Sequence, residues 1–227
     1  MQHIVPGLIV VFVAVAAYGV YAWARRRKEL QQWAAARGLT YHQGRDYGFD
    51  RTYQALKCLD QGHTRYACNV MTGQWSGLPV VCFDYRYRTG SGKNERTHTF
   101  SGVILRSPVP LKPLLIRREG LLDKIGEFLG ADDIDFESAE FSRRFFVKSS
   151  DKRWAYDVIH QRMMEYLLAG PDLNVEFGVQ EVVASDGRDW RPAAFQAAAD
   201  HLKGILDLLP DYLVEQQKAT MPPEPTW

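Results

Sequence analysis

Residues 64–106 read TRYACNVMTGQWSGLPVVCFDYRYRTGSGKNERTHTFSGVILR, and this stretch decides the fold. Alternation of apolar and polar residues, which is typical of half-buried β-strands, covers three segments: Thr64–Thr72, Leu78–Arg88 and Glu95–Arg106. The loops between them, residues 73–77 and 89–94, are rich in glycine and short enough to join antiparallel neighbours. The stretch therefore predicts a three-stranded antiparallel meander.

The middle segment also predicts which side chains share a face of the sheet, because successive residues of a strand point to opposite sides. One face would carry Val81, Phe83, Tyr85 and Tyr87, and the other Cys82, Asp84, Arg86 and Arg88. A hairpin that pairs Arg88 with Glu95 would place Tyr85 opposite His98 and Phe83 opposite Phe100. We therefore expect Phe83, Tyr85 and Phe100 to be core residues, although a slip of one residue would exchange the faces.

The rest of the chain predicts helices and a few short strands. Apolar spacing and capping residues predict helices at 28–37, 119–129, 151–168 and 192–210, and strands at 114–117, 141–148 and 173–184, the last with a break at Gly178. Hairpins come first and helices later, without a regular β-α-β alternation. This order favours an α+β fold with an antiparallel sheet and several packed helices over a doubly wound fold.

The N-terminus contains a run of 20 uncharged residues, Ile4 to Trp23, and a basic cluster follows it: Arg25, Arg26, Arg27 and Lys28. A helix of this length spans about 30 Å of hydrocarbon, and short basic flanks stay in the cytoplasm. The pattern predicts a single-pass transmembrane anchor with its N-terminus outside. A cleaved signal peptide is the alternative, since Ala22-Trp23-Ala24 has the form of a cleavage site. Against it, Met1–His3 has no basic residue and the apolar run is too long.

These patterns divide the chain into three parts. Residues 1–28 would form the transmembrane anchor with its basic cytoplasmic flank. Residues 29–213 would form one α+β cytoplasmic domain. Residues 214–227, which end in a proline-rich sequence, would be a disordered tail.

Charge and cysteine content limit the possible functions. Of the 28 Lys and Arg, 4 belong to the basic cluster, which leaves 24 against 27 Asp and Glu, a formal charge of −3. A nucleic-acid binder should carry a basic face, so we expect no nucleic-acid partner. The three cysteines, Cys58, Cys68 and Cys82, are an odd number without a Cys-x-x-Cys pair, which favours reduced thiols in the cytoplasm over a disulfide framework.

Metal and nucleotide motifs are weak throughout the chain. Cys58-x4-His63-x4-Cys68, with Cys82 and His98 further on, offers zinc-ligand types, but the spacing matches no common finger or ribbon. A calcium loop counted from Asp133 would have Ser138 and Arg144 where Gly and Glu are required. Gly90-Ser91-Gly92-Lys93 lacks the first glycine and the Ser or Thr of a phosphate loop. We expect neither a metal nor a cofactor.

The strongest candidates for catalysis are Asp84, Arg86 and His98. Asp84 and Arg86 lie two residues apart on one predicted strand, and His98 is on the next. A carboxylate, a guanidinium and an imidazole can make an acid–base site, but a strand-face ion pair beside an aromatic-packed histidine explains the same residues. We expect Asp84 and His98 to be structural, with His98 against Tyr85 or Phe100.

Three segments carry a family resemblance: Val81–Tyr87 (VCFDYRY), Ile134–Phe141 (IDFESAEF) and Ser150–Asp157 (SDKRWAYD). With the N-terminal run, they resemble a group of uncharacterised bacterial proteins in which one membrane span anchors a cytoplasmic domain of unknown function. The resemblance implies location in the bacterial inner membrane. It implies no chemistry, so it supplies no functional residues.

The sequence thus predicts a bacterial membrane-anchored binding or scaffold domain rather than an enzyme. Its partners would be the bilayer, through residues 4–23, and another protein at the membrane. The alternative is a membrane-tethered hydrolase that uses Asp84 and His98. A third possibility is lipid handling by an apolar groove. A deep pocket converging on Asp84, Arg86 and His98 would favour the enzyme, and a shallow surface with an exposed apolar strip would favour the binding domain.

Overall fold

The computed structural model describes residues 4–118 and 134–221, and it describes side chains from residue 14 onward within those ranges. The predicted helix at 119–129 and the last six residues of the predicted tail lie outside the described residues. Within these ranges, no helix combines the length and apolar character needed to cross a membrane. The predicted span at 4–23 begins in residues whose side chains the structure does not describe.

The described residues form seven α-helices and one eight-stranded sheet, with two short 3₁₀ turns at 57–59 and 92–94. The helices are α1 (Ile4–Ala36), α2 (Phe49–Thr52), α3 (Ala139–Arg144), α4 (Lys152–Val158), α5 (Gln161–Ala169), α6 (Pro192–Asp207) and α7 (Asp211–Lys218). The strands are β1 (Thr40–His42), β2 (His63–Trp75), β3 (Leu78–Thr89), β4 (Arg96–Arg106), β5 (Leu114–Arg118), β6 (Phe145–Ser149), β7 (Asn174–Phe177) and β8 (Glu181–Ser185).

The predicted α+β class and antiparallel meander are confirmed. The strand order is β1-β2-β3-β4-β8-β7-β5-β6, and every neighbouring pair is antiparallel. The meander β2-β3-β4 therefore forms one half of a larger sheet. The hairpin β7-β8 joins it by pairing β8 with β4, and the chain reverses at Gly178–Gln180, where the break was predicted.

The register of β3 and β4 differs from the predicted one by two residues. Tyr85 lies opposite Phe100, Tyr87 opposite His98, and Phe83 opposite Gly102. The last pair of the hairpin is Thr89 with Arg96. Gly90 adopts a left-handed backbone (φ +78°), and a turn follows at residues 92–94. Together they centre the loop one residue later in the chain than predicted. A shift of two residues keeps each side chain on its face.

Two hydrophobic clusters cover the two faces of the sheet. The larger includes Met71, Cys82 and Val103 and is covered by α1, α6 and other helices. The smaller is built on Phe83, Tyr85 and Phe100, which are all buried as predicted, and is covered by the segment that contains α2. The candidate site lies on the α1 face.

Glu176, on β7, holds the cover of the smaller cluster in place. Its carboxylate is 2% exposed and accepts hydrogen bonds from the backbone N–H groups of Lys57 and Cys58, the second at 3.0 Å. Burial raises the pKa of this carboxyl, against the lowering effect of the two N–H donors. A buried carboxylate with two backbone donors therefore ties residues 57–59 to the far half of the sheet.

Three helical boundaries differ from the predictions. The first half of the predicted strand 141–148 is α3, because Ser138 accepts a hydrogen bond from Phe141 N and caps a helical turn. The predicted helix 151–168 is divided into α4 and α5, and His160 caps the second. Helix α7 continues to Lys218 with Leu213 and Gln217 buried, so the folded chain extends past the predicted domain boundary at 213.

Candidate functional site

The structure does not bring the predicted trio of Asp84, Arg86 and His98 together. Asp84 is 5% exposed on the α1 face of β3, and Arg86 follows it on the same face, half-buried. His98 pairs with Tyr87, so its side chain lies on the opposite face of the sheet. There it stacks on the Tyr87 ring, with 4.8 Å between centroids, and its Nε2 is 2.8 Å from the Thr89 hydroxyl. The sheet therefore separates the carboxylate from the imidazole.

Asp84 is instead paired with Arg26 of α1. The Arg26 guanidinium donates two hydrogen bonds to the carboxylate, of 2.7 Å to Oδ2 and 2.8 Å to Oδ1. The same guanidinium donates to the backbone oxygen of Trp190 from Nε at 2.9 Å and from Nη2 at 2.7 Å. Bidentate pairs of this kind fix the orientation of the guanidinium and the carboxylate as well as the distance between them. They join α1, β3 and the β8–α6 loop at one point.

Two neutral side chains complete the shell around Asp84. Asn69 donates from Nδ2 to Oδ2 at 2.7 Å, and the Ser101 hydroxyl donates to Oδ1 at 2.6 Å. Ser101 Oγ also accepts from Trp190 N at 2.8 Å. The carboxylate thus receives four side-chain hydrogen bonds, and a buried carboxylate needs such donors because it has lost its water.

The position of Asn69 depends on a β-bulge in β2. Cys68 lies opposite Asp84 and Met71 opposite Cys82, so Asn69 and Val70 together face one residue of β3. Asn69 adopts a left-handed backbone with φ +50°, which asparagine tolerates better than most residues. Its Oδ1 accepts from the hydroxyl of Tyr41 at 2.6 Å. Bulges and left-handed residues concentrate at functional sites.

Burial and charge act in opposite directions at this cluster. Burial lowers the pKa of the Arg26 guanidinium, but the hydrogen bond and charge of Asp84 outweigh it, and the pKa is raised. Burial raises the pKa of the Tyr41 hydroxyl, and a hydrogen bond from Arg27 of α1 opposes that shift. Arg26 is therefore charged and Tyr41 neutral in the folded protein. We call Arg26, Asp84, Asn69, Ser101 and Tyr41 the clamp.

The clamp changes the interpretation of the predicted basic flank. Arg26 contacts the domain rather than facing outward, and Arg25 pairs with Glu29 at 3.0 Å. Arg27 lies over the ring of Trp23 at 4.9 Å, and Lys28 is exposed. Before the clamp, all of residues 14–25 are exposed, including Tyr18 at 72% and Val20 at 68%. Residues 14–25 of α1 therefore extend beyond the domain without packing against it.

A cleft on the opposite face is the second feature of interest. It has a volume of about 600 Å³ and lies between β1, α2 and the exposed end of the smaller cluster. Its lining includes Val70 and Val81, the polar side chains of His42 and Arg45, and Tyr41 of the clamp. The volume is within the range of small-molecule pockets. Neither Asp84 nor His98 lines it.

No group of three or more His, Cys, Asp and Glu side chains that could hold a metal occurs among the described residues. The proposed zinc ligands are placed apart: His63 Nε2 bonds to Gly90 O at 3.0 Å, and the thiols of Cys58 and Cys82 are buried. Burial raises the pKa of the Cys82 thiol to about 12. The three cysteines are free thiols.

One signal in the sequence pointed to the clamp. Arg26 lies four residues before Leu30 and seven before Trp33, on the stripe of α1 that packs against the sheet. A cation on an apolar stripe indicates a buried anion, and Asp84 is the one acidic residue of β3. The basic cluster obscures this signal, because four consecutive basic residues after an apolar run are typical of a membrane flank.

Comparison with known proteins adds a likeness in fold. No protein-family model matches the chain, and neither does any curated protein. Among solved structures, the chain is similar to the crystal structure of the mycobacterial trehalose monomycolate transport factor A, TtfA. The TM-score is 0.62 with 15% sequence identity, and the match covers 82% of this chain and 96% of that one. The α+β architecture described above is therefore similar to that of TtfA.

Proposed function

We propose that this protein is a membrane-anchored binding or scaffold domain of a bacterial inner membrane. Residues 4–23 of α1 cross the bilayer once with the N-terminus outside. The basic flank and the domain lie in the cytoplasm, where the domain binds another protein. The observation that carries the proposal is the clamp, because it fixes an apolar helix to the domain without a linker.

The exposure of α1 supports the anchor. Val15, Tyr18, Val20, Tyr21 and Trp23 are each at least 48% exposed, and they belong to a run of 20 uncharged residues. An apolar helical segment whose described side chains, from residue 14 to residue 25, are all exposed is costly in water and stable in lipid. Tyr21 and Trp23 stand at the end nearest the basic residues, where aromatic side chains suit the membrane interface.

The arrangement of Asp84 supports binding over catalysis. A general base needs an open lone pair within about 3 Å of the proton that it removes. Asp84 already accepts four side-chain hydrogen bonds, and His98 lies across the sheet. The hydrolase alternative would need both residues at one pocket, so the geometry favours a structural role for each.

The fold comparison identifies no partner. TtfA is named as a mycobacterial trehalose monomycolate transport factor, and at 15% identity the likeness carries only the fold. The proposed membrane-protein partner therefore rests on the anchor, and we propose no particular cargo.

A test of the anchor uses the full chain with a reporter fused after Trp227. We expect a reporter that works only in the cytoplasm to be active, and a reporter that works only in the periplasm to be inactive. We also expect the protein to stay in the membrane fraction after alkaline carbonate washing. A mature N-terminus near Arg25, or periplasmic reporter activity, would refute the anchor.

Crosslinking in intact cells, followed by purification from solubilised membranes, then tests for a partner. Recovery of the same membrane protein with wild type and Arg25→Gln, but not with Arg26→Met, would support a role for the clamp in presenting the domain.

A further inference from the structure

Helix α1 crosses the sheet from the end of β2 to the middle of β3, and its direction shows which end of the sheet is nearest the anchor. Near its C-terminus, the Trp33 ring lies 6.1 Å from that of Trp75, and the Arg37 guanidinium lies 4.9 Å from the same ring. Trp75 pairs with Leu78 at the start of β3, whereas Arg26 meets Asp84 in its second half. Towards its N-terminus, α1 therefore runs across β2 and β3 in the direction of the β3–β4 hairpin.

The sheet continues past the clamp in the same direction as the helix. From Asp84 to Thr89, β3 extends about 16 Å further, at about 3.3 Å per residue. Residues 14–25 of α1 are all exposed over the corresponding length, so the helix and the sheet diverge beyond the clamp. The hairpin end of the sheet thus projects beside the apolar part of α1.

This end of the sheet is basic. Arg86 and Arg88 lie on the α1 face of β3, Lys93 is in the hairpin, and Arg96 begins β4. Arg188, in the β8–α6 loop, has a side chain that is 76% exposed, and its backbone oxygen accepts from Ser101 N beside the clamp. We call these five residues the basic end.

Acidic neighbours offset only part of this charge. Glu95 pairs with Arg88 at 3.0 Å and Asp186 with Arg188 at 2.5 Å, and Asp189 is exposed nearby. In the described part of the chain, Arg86, Lys93 and Arg96 make no ion pair. Arg25, Arg27 and Lys28 add positive charge where α1 leaves the domain.

We propose that the basic end is an interaction surface for the anionic headgroups of the membrane that α1 enters. The proposal rests on the proposed function. If residues 4–23 span the hydrocarbon, Arg26 lies about 4.5 Å beyond it, within a headgroup layer about 5–8 Å thick. Asp84 is hydrogen-bonded to Arg26, so it lies at nearly the same depth. A sheet end that ran about 16 Å parallel to α1 from this depth would enter the hydrocarbon. Because the sheet diverges from α1 beyond the clamp, its end instead lies against the membrane surface, where it meets the headgroups.

Anionic phospholipid fits this surface better than a neutral bilayer does. Lys and Arg side chains near a negatively charged leaflet are attracted to it within about one Debye length. The surface is exposed and polar, which suits contact with headgroups rather than insertion. An acidic protein could use the same charges, and the experiment separates the two by containing lipid and no other protein.

The test measures amide hydrogen exchange of the full-length protein in lipid nanodiscs, made either of phosphatidylcholine alone or with phosphatidylglycerol added. We expect exchange at residues 86–97 and 186–190 to be at least several-fold slower in the anionic discs. The turn at Ser76–Gly77, at the other end of β3, is the internal control and should exchange equally in both. Equal exchange of the basic end in the two lipids would overturn the proposal.

Charge variants test whether the basic end is responsible. Arg86→Gln with Lys93→Gln and Arg96→Gln should abolish the difference between the two lipids. The matched control replaces three exposed basic residues beside the other edge of the sheet, Arg143, Lys152 and Arg153, and should keep it. Retention of the difference by the first variant would refute the surface. Failure of wild type to enter the discs would instead refute the anchor, and the surface with it.

Discussion

Arg26 and Asp84 are joined by hydrogen bonds of 2.7 and 2.8 Å, although 58 residues separate them along the chain. Their side chains are 18% and 7% exposed, so the pair is largely removed from water. Breaking a buried pair leaves a charge that neither solvent nor protein neutralises. The stability of the domain should therefore depend on a residue that the sequence placed in a membrane flank.

Replacing Arg26 by Met should lower the free energy of unfolding by about 3–5 kcal/mol, the usual cost of leaving one partner of a buried pair. The double variant Arg26→Met with Asp84→Asn should recover part of that loss, because no unpaired carboxylate remains. Chemical denaturation of the full chain in detergent measures both. Arg25→Gln is the control, since the Arg25 side chain is 63% exposed, and should cost less than about 1 kcal/mol. A double variant no more stable than Arg26→Met would contradict the ion-pair argument.

Function should respond to the clamp and not to His98. We expect Asp84→Asn and Arg26→Met each to reduce complementation of a strain that lacks this protein, and by similar amounts, because each change loosens the same contact between α1 and the sheet. His98→Gln should leave it unchanged, since His98 lies on the opposite face beside Tyr87. Complementation at matched membrane levels measures this pattern. If Asp84→Asn and His98→Gln abolish function together while Arg26→Met does not, the hydrolase hypothesis should replace ours.

Phe83 and Gly102 should show a compensating interaction. They lie opposite each other, and a methyl group on Gly102 would sit 2.7 Å from Cζ of Phe83. Phe83→Ala should cost about 3–5 kcal/mol by leaving a cavity, and Gly102→Ala should also destabilise. Together they should cost less than the sum, because the new methyl enters the vacated space. Thermal melts of the four proteins measure the coupling, and strict additivity would exclude it.

His201 should make stability depend on pH. This histidine of α6 is 5% exposed and its ring stacks on Tyr166, with 5.0 Å between centroids. Burial lowers its pKa from 6.5 to about 4. The unfolded chain therefore binds a proton near pH 6.5 that the folded chain refuses, so stability is full above pH 6.5 and falls towards pH 4.

The size of this effect should be about 3 kcal/mol, at 1.36 kcal/mol for each unit of pKa difference. His201→Phe keeps a ring against Tyr166 and removes the titration. We expect its stability to fall less than that of wild type between pH 6.5 and 4, in denaturation curves collected across that range. The control is His42→Gln, at an exposed site of β1, which should follow wild type. Parallel curves for wild type and His201→Phe would show that His201 does not cause the loss.

Local patterns predicted the meander, its buried aromatic face and the break at Gly178, because alternation and glycine act over a few residues. The pairing of β4 with β8 was not predictable in this way, since about 80 residues separate the partners. The two-residue error in register came from a turn, because the glycines in residues 89–94 allow more than one position for the loop. Strand 141–148 was partly wrong because the cap at Ser138 overrides the alternation that follows it.

The candidate site was half predictable. The sequence singles out Asp84 on one face of a predicted strand, and in the structure Asp84 is 5% exposed. The sequence predicts that Asp84 pairs with Arg86 or a neighbouring backbone group, whereas in the structure its charged partner is Arg26 of α1. Spacing along one strand does not show which helix will cover it, so tertiary packing determined the pair.

The hydrogen bonds of Glu176 also constrain the order in which the protein assembles. The Glu176 carboxylate accepts a hydrogen bond from the backbone N–H of Lys57, and the two residues are 119 positions apart along the chain. Residues 57–59 cover the aromatic cluster, so this cover lacks its acceptor until β7 has joined the sheet. A chain that has emerged from the ribosome only as far as β6 can form the meander but leaves Phe83 and Tyr85 incompletely enclosed. Closure of that core is therefore a late event, and nascent chains shorter than about 180 residues should bind chaperones that recognise exposed aromatic surface.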